Sequence, residues 1–535
     1  MKKICLNWTI SLLSGIFVLF LLSVFGFICK LPINCFYLPI AIGISIGLII
    51  YFTLKDFDKN QIKLILSQLI ILLDFILICG VLCYFIPDIS YDGTTYHQAT
   101  IILLKWGLNP IYDNIQNFIT SQKYVFTSSI PYVEGFLKFF EIVGANIYTC
   151  FDKIELTKIT NYTFMLIAWC YTFYTLKNFN LNNITSIIFS SIFVYNPICV
   201  CQILSNYVDA IFYYTFLILL FAFINYTKGF DTKKSLYLIF VSSVIFANIK
   251  LTGLFTLFIM FFVFCIIYRS KTLLKVFSIA IIFILLSGIN PYFTNINQGR
   301  NAFYPIVQNS FINANKDFMI TSYPQGFENM NRFEKFFFST FAVSKNLSPL
   351  IQSDDVPRLK IPFTISGDDI FIFEDMRLGG FGYFFSGILL FSLILGAFLR
   401  FDNKEDKRTF WTIMSILIIS IFGNHEAWWA RFIPQFWSLP IFITLFFILN
   451  KNTTQRQRFF VFSLISLCFI NSLIINIQYF SFVLNTAITN RETIKKAPKT
   501  LYISENYPKI SHKFETSPVK LAEYGIEVIY TKENP

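Results

Sequence analysis

Apolar residues in this chain come in long blocks separated by short polar stretches, and few segments alternate at a period of two. Blocks of about 20 apolar residues are long enough to cross a hydrocarbon core as helices. Hydropathy predicts about thirteen spans: 8–29, 33–54, 64–86, 157–176, 184–203, 208–226, 235–249, 251–268, 273–290, 380–399, 409–422, 432–450 and 459–483. Backbone N–H and C=O groups inside a bilayer must be satisfied within the segment, so each block reads as a helix. The expected fold is an all-α polytopic membrane protein. It divides into an N-terminal hairpin (1–63), a membrane region with its loops (64–483) and a small C-terminal α/β extension (484–535). The first block follows Met1-Lys2-Lys3, lacks a small-residue cleavage site and is followed at once by a second block. It therefore reads as a membrane helix and not as a leader.

Composition agrees: 55% of residues are hydrophobic and 14% charged, against about 25% charged in soluble domains. A net charge of +12 would suggest nucleic acid in a soluble protein. Here the cations sit between blocks and report topology instead. With the N-terminus inside, nineteen Lys and Arg fall on inner segments and three (Lys30, Lys250 and Arg431) on short outer turns. That orientation puts the N-terminus in the cytoplasm and the loops 87–156 and 291–379, with the tail, outside. No nucleic-acid partner is expected from cations so placed, and with no P-loop or GxGxxG no nucleotide inside the cell is expected either. The eleven cysteines form no CxxC and read as small buried hydrophobes.

The outer face collects the candidate chemistry. "PDISYDGTTYHQATIILLKWG" (87–107) holds Asp88, Asp92 and His97 and then reads as a short interfacial helix. Asp92 is either an N-terminal cap or a partly desolvated base. Asp88 is either a solvated loop charge or the base itself. His97 reads more readily as a hydrogen-bonded histidine than as a ligand. Lys250, in "ANIKLTGL", and Arg431, in "HEAWWARFIPQFW", either snorkel to headgroups or bind an anionic substrate. Asp92, His97, His425 and Glu426 offer oxygen and imidazole ligands for a divalent metal, without a fixed-spacing motif. The acidic stretches "QSDDVPRL" and "SGDDIFIFED" read as solvated loop surface.

The order "YDGTTYH", "PYVEGF", "SNYVDA", "NIKLTGL", "NPYFTN…NAFYPI", "GGFGYFF" and "WWARFIPQFW" resembles the GT-C superfamily of integral-membrane glycosyltransferases over roughly residues 64–450. It is most similar to bacterial members related to protein O-mannosyltransferases and lipid A aminoarabinose transferases. The resemblance implies a bacterial inner-membrane enzyme with a periplasmic active face. It would move a sugar, with inversion, from a polyprenyl-phosphate donor to a hydroxyl on a glycan, lipid or protein. Asp92 matches the family's base, with Asp88 as the alternative, because Asp92 follows the third block here and is succeeded by glycine where the family often has a second acid. Tyr96, His97 and Glu134 would position acceptor or sugar. Arg431, with Lys250 and Arg300 behind it, would meet the phosphate, and Asp209, His425 and Glu426 lie on the same face. Two other readings stay open: a polysaccharide polymerase or ligase, which would lean on an arginine-rich outer loop, and a transporter or flippase of lipid-linked sugars, which would need polar residues near mid-membrane on several helices.

Overall fold

Helix Asp209–Thr227 is apolar around its whole circumference, and such a helix has to be covered on every side. It is buried along nearly its entire length, packed between Ile159–Asn178 and Thr232–Ile249. This is the computed structural model of the chain, and it describes residues 1–123, 130–305, 323–346, 357–450, 453–504 and 516–531. Leu251–Tyr268 also touches the central helix, Lys2–Ile28 packs on the two flanking helices, and Lys404–Phe422 packs on Leu251–Tyr268 and Ser438–Leu449. Tyr37–Asp56 and Gln61–Phe85 lie at the periphery and leave most of their apolar surface exposed. That surface has no aqueous rationale, and the chain is a multi-pass, mostly helical membrane protein.

Among the described residues, six helices are long and apolar enough to cross a membrane, or seven if the bent pair Lys271–Ser287 and Ile289–Asn297 is one span. Hydropathy alone gives thirteen, and the differences have local causes. The block 184–203 divides at Asn196-Pro197: the Asn196 side chain caps the second piece and Pro197 starts it. The block 273–290 bends by 66° where Asn290 leaves helical geometry ahead of Pro291. Blocks 380–399 and 432–450 yield the short helices Phe385–Ala397 and Ser438–Leu449. Ile159–Asn178, Thr232–Ile249 and Lys404–Phe422 are long enough, but polar and charged side chains dilute their apolar character.

The last block instead grows. Gln455–Lys496 is a single helix of 42 residues, about 63 Å at 1.5 Å per residue, twice a hydrocarbon core of about 30 Å. Its far end reaches the end of Gln61–Phe85, where Arg491 donates to the carbonyls of Tyr84 and Phe85. Beyond it, strand Thr500–Ser504, helix Ser517–Ala522 and strand Glu527–Thr531 form a small unit with the strands parallel.

Within the first long loop the packing is protein-made. Gln98–Lys105 is covered almost entirely, because Phe139–Phe151 packs on it and Thr516 of the tail bonds the carbonyl of Thr94 just before it. All eleven cysteines are free.

Candidate functional site

The charged residues gather where helices end. Asp92 follows Gln61–Phe85, Asp209 opens Asp209–Thr227, Lys250 joins Thr232–Ile249 to Leu251–Tyr268, and Arg431 precedes Ser438–Leu449. Arg431 holds the group together. One terminal nitrogen donates to Asp92 Oδ2 at 2.8 Å and lies 3.6 Å from Asp209 Oδ2. Its Nε is 2.7 Å from Asp375 Oδ1. Asp209 is paired in turn with Lys250 and accepts from Gln202 at 3.2 Å. Asp375 is gripped by Arg377 at 2.9 Å and by the Trp429 indole N–H at 2.7 Å.

Among the described residues, three carboxylates and three cations thus meet in one cluster. Burial alone would discharge Arg431, but Asp375 and Asp92 outweigh it and raise its affinity for the proton further. The guanidinium also lies over the Tyr207 ring, 4.8 Å from its centroid. Asp209, Asp375 and Arg377 are sealed in, whereas the side chains of Asp92, Lys250 and Arg431 keep 12–18% of their surface exposed. Those three form the open edge.

Asp92 is not a cap: its side chain accepts no helix N–H and goes to Arg431 instead. Asp88 is not a solvated loop charge either. It is buried, Oδ1 accepts the backbone N–H and hydroxyl of Ser90, and Oδ2 accepts the N–H of Asn206. Burial and the neighbouring Glu155 push its carboxyl up. All of these bonds hold it in an interior network away from the open edge. Position 93 is glycine for a related reason. A Cβ there would run into the Asp88 carboxylate and the Ser90 hydroxyl, which leaves no room for a second acid beside Asp92.

Tyr96 stacks on Tyr132 with ring centroids 4.7 Å apart, and burial together with nearby Asp92 pushes the Tyr132 phenol up to about 12. Glu134 pairs with Arg300, whose guanidinium lies 4.5 Å from the Tyr304 ring centroid. These residues make an aromatic flank to the open edge. His97 is buried and tied to Glu141. His425 projects into solvent and pairs with Glu426 at 2.8 Å, and Glu426 in turn accepts from Tyr323 and Trp428. Neither joins the Arg431 cluster. No group of three His, Cys, Asp or Glu among the described residues is placed to hold a metal ion, so Asp92, His97, His425 and Glu426 do not converge as ligands.

Sequence reading missed Asp375, Arg377 and Tyr207. Asp375 ends "SGDDIFIFED", taken as solvated surface; Asp369, Glu374 and Asp375 are all buried, and only Asp368 faces outward, paired with Arg358. The signal was present in the bulky apolar residues Ile370, Phe371, Ile372 and Phe373 that carry the acids inward. "QSDDVPRL" lies mostly outside the described residues. Comparison with family models, curated proteins and solved structures gave no match.

Proposed function

We propose that the protein transfers a sugar from a polyprenyl-phosphate donor to an acceptor hydroxyl, with inversion, on the outer face of a bacterial inner membrane. The observation that carries this reading is the Asp92–Arg431 pair at the open edge of the charged cluster, with Lys250 beside it. A carboxylate held by a guanidinium is not free to take a proton. A phosphate entering the edge competes for Arg431 and Lys250, and in doing so releases Asp92.

Asp92 then accepts the proton of the acceptor hydroxyl while that oxygen bonds the anomeric carbon. The bond from the anomeric carbon to the phosphate oxygen breaks, and the lipid phosphate leaves with the electron pair beside the cations. Tyr96, Tyr132 and Tyr304 supply ring faces and edges for the sugar. Asp88 serves this reading as a scaffold for the turn that carries Asp92, which makes Asp92 the preferred base.

The test is Asp92→Asn in membranes, with release of sugar from a polyprenyl-phosphate donor followed. Lost transfer with donor binding retained supports the role of base, and unchanged transfer removes it. If the unaltered protein consumes no such donor but moves it across the bilayer, the transporter reading replaces this one.

A further inference from the structure

Helix Gln61–Phe85 carries one acidic residue, Asp74, thirteen residues after its start and eleven before its end, and the segment from Leu69 to Phe85 is otherwise apolar but for Tyr84. That is the middle of a helix long and apolar enough to cross a membrane. Asp74 is exposed, and among the described residues it makes no hydrogen bond or ion pair. Only 11% of the apolar window of this helix is buried within the chain. A carboxyl at the centre of a span is costly unless it faces protein or pairs with an opposite charge. Its neighbours add a pattern. Ile70, Asp74, Leu77 and Val81 follow one another at steps of four, three and four, and all are exposed. That is the spacing of a seam that takes a second helix knobs-into-holes.

We propose that the stripe Ile70–Asp74–Leu77–Val81 is a docking surface for another membrane helix that carries a lysine or arginine at mid-bilayer depth. Charge complementarity chooses this occupant. A lipid tail would leave the carboxyl without a partner, and a second copy would bring another carboxyl against it. The surface is independent of the Arg431 cluster and does not rest on the function proposed above.

The full chain, donor-labelled and reconstituted in lipid vesicles, would be mixed with acceptor-labelled synthetic polyleucine helices bearing either one central lysine or no charge. The expected result is energy transfer to the lysine helix only, weakened roughly tenfold by Asp74→Leu, in keeping with a single interhelical polar contact in lipid. Asp74→Lys should then prefer a helix with a central aspartate, an exchange that a misfolded variant would not produce. Equal binding of charged and uncharged helices overturns the proposal. So does Asp74-dependent self-association that excludes the lysine helix, which would give the face to a second copy.

Discussion

Replacing Arg431 by methionine removes the one cation shared by three carboxylates, and the structure says which of them suffers. Asp209 keeps Lys250 and Gln202, and Asp375 keeps Arg377 and Trp429. Asp92 loses Arg431, the one side chain its carboxylate bonds among the described residues. Breaking a buried ion pair costs about 3–5 kcal/mol when it leaves a charge stranded. Because the Asp92 side chain is 15% exposed, water reaches the stranded group, and the expected loss is nearer 2–3 kcal/mol. In the Asp92→Asn background the same Arg431→Met change should cost about 1–2 kcal/mol less, since no carboxylate is then abandoned. The assay is a double-mutant cycle on unfolding of the detergent-solubilised protein, read by the fluorescence of Trp429 and its neighbours. Additivity within about 0.5 kcal/mol would refute the reasoning, because independent sites behave that way.

Two further outcomes follow from buried charges elsewhere. Burial opposes ionisation of Glu155, but Lys158 and Lys520 outweigh it and hold its carboxyl at about 2. This depressed value stabilises the fold above the ordinary glutamate range near 4.5 and is lost as pH falls from there toward 2. Acid should therefore loosen the C-terminal unit first. Lys520→Met, which removes a charged bond worth about 1.5–3 kcal/mol, should loosen it at neutral pH, measured as faster proteolysis of residues 500–531. Burial holds Lys138 down to about 7, with Glu141 and Glu134 opposing. The unfolded chain then binds more protons between pH 7 and 10.5, so stability rises across that window. Lys138→Met should abolish the rise in thermal unfolding; a rise of the same size in the variant would assign it to other groups.

Hydropathy by itself determined that this is a multi-pass helical membrane protein, because lipid leaves the backbone no other way to satisfy its hydrogen bonds in such blocks. It also singled out Lys250 and Arg431, on the same face as Asp92, since Lys and Arg on the short outer turns are few. It gives more blocks than there are long apolar helices among the described residues, because it passes over breaks such as Asn196-Pro197 and Asn290-Pro291 and tolerates the polar side chains of Ile159–Asn178, Thr232–Ile249 and Lys404–Phe422. It misjudged Asp88 and Asp375 because exposure is not a property of a residue and its sequence neighbours alone. Asp88 is buried by Asn206 and Glu155, and Asp375 by Arg377, Trp429 and Arg431, all but Arg377 distant in the chain. The Asp92–Arg431 pair joins residues 339 positions apart, and no local pattern encodes such a distance. Tertiary packing decided which of the acids at the membrane boundary stayed open to a substrate, by giving the others enough hydrogen bonds and cations to remain inside.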